Sequence, residues 1–204
     1  MHRVFRREAA LLPKIVRAVA ERDGAAIART ADAIDEYVDV LRNHHAVEDQ
    51  LIWPRLRERA WTEALSQHME KQHAAIDGSL EAVGFALAVW RMSGARSDAE
   101  ALAAAFDEHR VCLVEHLDEE EALALPQIAE YLTAEEWAEV GARGLERVPR
   151  DKLLLALGAI LEEATPEEAA YLLSKVPLTR CVMWWIFGRY QYATRVRALR
   201  SPIF

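Results

Sequence analysis

Apolar residues return every three or four positions along almost the whole chain, and no stretch alternates in the manner of a strand. Between Ala25 and Leu56 the positions Ile27, Ala31, Ile34, Val38, Leu41, His45, Leu51 and Leu56 keep the interval of one helix face. This patterning predicts helices near 3–22, 25–59, 63–93, 97–130, 133–147, 150–163, 166–174 and 178–200. Asp23-Gly24 separates the first two, and Ser93-Gly94-Ala95-Arg96 separates the third from the fourth. Capping boxes are expected at Ser97–Glu100, Thr133–Glu136 and Thr165–Glu168, and Pro13 should kink the first helix or mark where its regular part begins. The fold class is all-α. Short connections between the four long helices predict an antiparallel four-helix bundle over residues 1–131, with a helical extension over 132–204.

Composition narrows the function. At 204 residues and 52% hydrophobic, the chain can bury one sizeable core. Its net charge of −8 speaks against general nucleic-acid binding. No uninterrupted apolar run approaches the roughly 18 residues of a membrane span, and the first residues lack a signal-peptide core. Cys112 and Cys181 are too few for a disulfide framework. A cytoplasmic protein with two reduced thiols is the expectation.

One motif occurs twice. His44-x-x-x-Glu48 with Pro54 and His116-x-x-x-Glu120 with Pro126 lie 72 positions apart, from 44 to 116. Residues i and i+4 share a helix face, so each motif presents an imidazole and a carboxylate to one cation. His2 and His73 repeat the offset within one position. Each long helix thereby contributes to a single interior site, as a dinuclear metal centre between two similar hairpins requires. Imidazole and carboxylate together suit Fe or Mn, and Zn also fits such donors.

These residues carry a resemblance. His2, His44-His45-x-x-Glu48-Asp49 with Trp53-Pro54, Gln72-His73, and His116-Leu117-Asp118-Glu119-Glu120 with Pro126 make residues 1–130 similar to the hemerythrin-like, or HHE cation-binding, family. Similar bacterial proteins, mainly actinobacterial, carry a tail resembling Thr133 to Leu199. The resemblance implies two irons bridged by carboxylates and an oxygen species. It also implies O2, H2O2 or nitric oxide as small ligands. His2, His44, His73 and His116 would ligate terminally, with Glu48 and Glu120 bridging. Oxygen carriers of the family take a fifth imidazole from a His-x-x-x-His pair on the third helix. Here Met69 stands where that partner would be, which argues against reversible O2 carriage.

Other residues have two readings. His109 and Tyr37 each precede a motif histidine by seven positions, and either hydrogen-bonds near the cluster or adds a ligand. His45 points about 100° from His44, so it is expected beside the cluster or facing solvent. His68 reads as a rim residue. Asp49, Glu119 and Glu121 either orient imidazoles or form a solvated face. Trp53 with Pro54 should close the bundle end. In the tail, Trp184, Trp185 and Phe187 should pack on the bundle or on a second subunit in a homodimer, with lipid the less favoured partner. Two functions remain open: a diiron protein that senses or detoxifies O2, peroxide or nitric oxide, and a diiron oxygenase or oxidoreductase with a small organic substrate.

Overall fold

In the computed structural model, which describes residues 1–203, the bundle is formed by α1 (His2–Ala18), α2 (Gly24–Val47), α4 (Glu63–Ser93) and α5 (Arg96–Tyr131). After Val47 the second helix widens into a π turn, Glu48–Ile52, and continues as the short α3 (Trp53–Arg59). Pro54 sits just past the widened turn and suits it. It has no N–H, and its ring would strike the carbonyl of residue 50 in regular α geometry. The wider turn lets the Trp53 N–H donate to the Glu48 carbonyl instead. α5 packs on both α1 and α4, and α2 closes the square by touching the same two helices.

The helix ends follow local chemistry, with two departures from expectation, the end of α1 and the cap at Ser97. α1 stops at Ala18, because Val19 turns extended and buries its side chain. Pro13 sits buried inside α1, with helix on both sides of it, and does not mark its start. The capping box at Ser97 does not form. Ser93 Oγ accepts from the Ala95 N–H and donates to Asp98, and α5 begins one residue early behind Ala95. The boxes at Thr133 and Thr165 are both present. Gly94 ends α4 at φ 58°, where a Cβ would come within 3.0 Å of Ile27. The Arg22 N–H donates to the Gly94 carbonyl, which ties the two hairpin turns together at one end of the bundle.

Two apolar clusters fill the interior. The larger contains Phe5, Leu12, Ile34, Leu41, Leu80, Trp90 and Phe106. The smaller, Ile52, Trp53, Leu56, Trp61, Met69, Ala124 and Ile128, closes the end away from the hairpin turns. Trp53 stacks on Trp61 there, with ring centroids 5.1 Å apart. Between the two clusters lies a layer of buried histidines and glutamates.

The extension runs through α6 (Ala134–Glu146), α7 (Leu153–Glu163), α8 (Pro166–Lys175), α9 (Leu178–Met183), a π turn at Trp184–Gly188, and α10 (Arg189–Arg200). α6 and α10 touch α2, and α7 touches α1. Leu199 and Ile203 join the larger core cluster. Charge adds to the docking: Arg7 reaches Glu162 and Glu163, Arg195 pairs with Glu36, and Arg3 pairs with Glu168. The aromatic run packs on its own bundle only in part. Trp184 is buried, but Trp185, Ile186, Phe187 and Tyr190 face outward. The stripe turned toward the protein is Trp184, Gly188 and Tyr192, spaced by four, and Trp185 and Phe187 fall off it. No helix among the described residues is long and apolar enough to cross a membrane.

Gly158 sets how closely α10 approaches α7. A Cβ there would lie 2.5 Å from Tyr192 Cγ, a ring atom close to the backbone with little freedom to move. Gly158→Val should therefore lower stability by about 1–3 kcal/mol in thermal or denaturant unfolding and expose the segment after residue 188 to proteases.

Candidate metal centre

Seven side chains converge on the layer between the apolar clusters. His2 comes from the first turn of α1, His44 and His45 from the last turn of α2, and Glu48 opens the π turn. His73 comes from the middle of α4, and His116 and Glu120 come from α5. They form two groups of four: His45, Glu48, His73 and His116, and His2, His44, Glu48 and Glu120. Within each group the donor atoms lie within 4.8 Å of one another, and Glu48 belongs to both. Its Oε1 is 3.1 Å from His44 Nε2, and its Oε2 is 3.6 Å from His73 Nε2. The two oxygens of one carboxylate thus address the two groups. Glu120 Oε2 lies 3.4 Å from His2 Nε2 and 3.5 Å from His116 Nε2, between the groups as well.

Of the two places expected for His45, the structure takes the one beside the cluster. This histidine does not face solvent: it is only 4% exposed, and its ring stacks on His73 at 4.1 Å. The reference residue for its direction is Glu48, not His44. Glu48 is four residues after His44 and three after His45, and both spacings place side chains on one face. Glu48 therefore sits between two imidazoles of its own helix. Met69, where a further third-helix imidazole would stand, is buried in the smaller apolar cluster.

The outer nitrogens of three rings are held. His2 Nδ1 is 2.9 Å from Glu121, and His73 Nδ1 is 2.8 Å from Asp49. These carboxylates each follow a motif glutamate by one position, so they are counterparts in the repeat. His116 Nδ1 is 3.0 Å from Gln72 Oε1, while the Gln72 amide nitrogen donates to Glu119. All three acceptors are oxygens, so each Nδ1 carries the proton and each Nε2 is bare toward the centre. Two such bare nitrogens, on His73 and His116, face each other at 3.2 Å. Two lone pairs at that distance repel unless a positive charge lies against them. Around them His44 Nε2, both ring nitrogens of His45, Glu48 Oε2 and Glu120 Oε2 are buried without a hydrogen-bond partner. Buried polar atoms are rarely left so, and a cation in each group would satisfy them together, save one of the two His45 nitrogens.

Electrostatics point the same way. Burial first, then neighbouring imidazoles, holds His44 and His45 far below the ordinary histidine range, and burial lowers His116 to about 3. Neutral imidazoles are the ligating form. Burial raises both glutamates, Glu48 the more, with Glu120 beside it and Glu120 itself pushed up to about 7.

The remaining candidates lie outside this layer. Tyr37 Oη is 2.7 Å from His109 Nε2, and Ser79 Oγ is 2.8 Å from His109 Nδ1. Ser79 donates its own proton to the Ile76 carbonyl, so His109 Nδ1–H donates to Ser79 and Tyr37 donates to Nε2. Both ring nitrogens are engaged, and neither is left for a cation. His68 is half exposed and pairs with Glu119 at the rim.

A sequence model described as the hemerythrin HHE cation binding domain matches residues 1–128. The chain belongs to the hemerythrin HHE cation-binding family. No curated protein and no solved structure matches it. As a hemerythrin-family chain it keeps a metal-binding helical bundle and adds the helices from α6 onward.

Cation binding to the metal-free protein should release protons, because raised carboxyls must ionise to act as ligands. A carboxyl with a folded pKa near 7 is mostly protonated at pH 6 and mostly ionised at pH 8. Proton release per bound metal should therefore be greater at pH 6 than at pH 8, measurable by calorimetry in buffers of different ionisation enthalpy, and affinity should weaken as pH falls. Equal release at both values would remove Glu120 from the reaction.

Proposed function

We propose that this chain is a dinuclear, iron-loaded hemerythrin-type protein that meets O2, peroxide or nitric oxide in sensing or redox defence in the cytoplasm. The observation that carries the reading is the pair of buried four-donor groups sharing Glu48. In this reading His45, His73 and His116 hold one metal, His2 and His44 hold the other, and Glu48 and Glu120 bridge. His45 supplies the fifth imidazole that the third helix lacks. The donor set of soft-edged imidazoles and carboxylates suits Fe and Mn, with Zn also accommodated. Bound iron would supply a one-electron redox couple and, with about four protein donors per metal, coordination positions open to a small oxidant. The chain's own part is to hold the Nδ1–H of His2, His73 and His116, to keep His44, His45 and His116 neutral, and to exclude bulk water with the apolar clusters on either side.

An oxygenase acting on an organic substrate is the second reading. It would need a hollow beside the metals. Two surface hollows, one bounded by Arg22, Ile27 and Arg91 and the other by Val196, Arg197 and Arg200, share no residue with the centre.

Metal analysis tests the proposal. A native preparation should hold about two metals per chain, the number a carboxylate-bridged bundle site takes. Glu48→Ala and Glu120→Ala should each lower occupancy sharply, whereas His68→Ala should not. His45→Leu should weaken one metal by at least about tenfold and leave the other bound. Full occupancy after loss of both glutamates would overturn the assignment.

Reactivity is read optically. The reduced protein should be oxidised by O2 without a lasting oxygenated spectrum, and should consume H2O2 at least stoichiometrically. A spectrum that survives repeated deoxygenation and reoxygenation would instead establish a carrier.

A further inference from the structure

The bundle's function leaves one surface unexplained. Around the π turn at Trp184–Gly188 the chain turns only Trp184 and Gly188 inward, the latter against Leu154. Six large apolar residues, Val182, Met183, Trp185, Ile186, Phe187 and Tyr190, stand in solvent, Trp185 and Ile186 at 56% and 58% exposure and Tyr190 at 74%. So dense an exposed apolar run marks an interaction site in a soluble domain.

Its charge indicates the partner. From Ala169 to the end of the chain there is no Asp or Glu, against six basic residues. Arg195 and Arg200 are taken up by Glu36 and Glu162 of the protein itself. Lys175, Arg180, Arg189 and Arg197 are exposed, and among the described residues no carboxylate pairs with them. Arg189 lies 5.5 Å from the Trp185 ring, so positive charge and exposed aromatic surface are one feature. An apolar centre of Trp, Ile, Phe and Tyr rimmed by unpaired arginines is the pattern of a helix lying in the plane of a membrane interface.

We propose that this face docks on an anionic lipid surface, with Trp185, Ile186 and Phe187 at the headgroup–acyl boundary and Arg180, Arg189 and Arg197 on lipid phosphates. A second copy of the chain fits less well. Symmetric pairing of the face with itself would bring Arg180 and Arg189 of both copies together. Pairing it with an acidic face elsewhere on the bundle repeats head to tail, and such contacts build filaments unless the rotation closes a ring. The lipid reading needs no spanning helix, in keeping with the absence of one among the described residues.

The test uses the full-length, metal-loaded protein in flotation with vesicles of phosphatidylglycerol and phosphatidylcholine, and with phosphatidylcholine alone. The protein should float with the anionic vesicles, less so as salt is raised, and not with the neutral ones. Trp185→Ser with Phe187→Ser, and separately Arg180→Glu with Arg189→Glu, should each reduce partitioning by about tenfold or more while metal content and helicity stay unchanged. These side chains are exposed, so folding does not depend on them. Failure of the parent protein to float, or equal flotation with neutral vesicles, overturns the proposal. A dimer in light scattering that the Trp185/Phe187 variant converts to monomer, without vesicle binding, assigns the face to a second copy instead.

Discussion

Two imidazole nitrogens, both stripped of hydrogen by partners behind them, meet at 3.2 Å inside this bundle. Among the described residues no other arrangement calls as plainly for a cation. An uncompensated buried charge or polar group costs several kcal/mol, and a domain of this size holds only about 5–15 kcal/mol in total. The layer can be kept only because large apolar clusters lie on both sides of it and because Asp49, Glu121 and Gln72 fix three rings from outside. Packing supplies the stability, and the layer draws on it for the sake of the cation.

The duplication explains both the order and the asymmetry of that layer. His73, His116 and Glu48 in one group correspond to His2, His44 and Glu120 in the other. Asp49 and Glu121 correspond as their outer partners. His45 breaks the correspondence, since its counterpart 72 positions on, from 45 to 117, is Leu117, which is buried in the apolar core. The π turn breaks it again: Glu48 opens a widened turn ahead of Pro54, while Pro126 is carried inside an uninterrupted α5. One group therefore offers three imidazoles and the other two.

Much of this was legible in the sequence because it is periodic. The four bundle helices and the spacing His44–Glu48 and His116–Glu120 depend only on the helical repeat and emerge within a few residues of their expected places. His45 is less legible: its turn of about 100° from His44 leaves two places open, and only its spacing of three to Glu48 selects the inner one. The cap at Ser97 failed because α5 begins at Arg96 behind Ala95, which places Ser97 inside the first turn and not ahead of it. The tail is only partly legible, for a different reason. Composition says that Trp184, Trp185 and Phe187 are apolar, but which of them turns inward depends on Gly158 and Gly188, whose missing side chains let Tyr192 and Trp184 take the inner stripe. Periodicity can be read from one chain; the choice between faces belongs to the partner surface.

Trp53 does more than close the bundle end. Its indole centroid is 6.0 Å from that of His73, with the stacked Trp61 behind it. An open-shell ion held by His73, such as the iron proposed above, would drain the energy of so near an excited indole before it could emit. The plug that seals the layer would then double as a lamp wired to it, dimming as such a metal binds and brightening as it leaves.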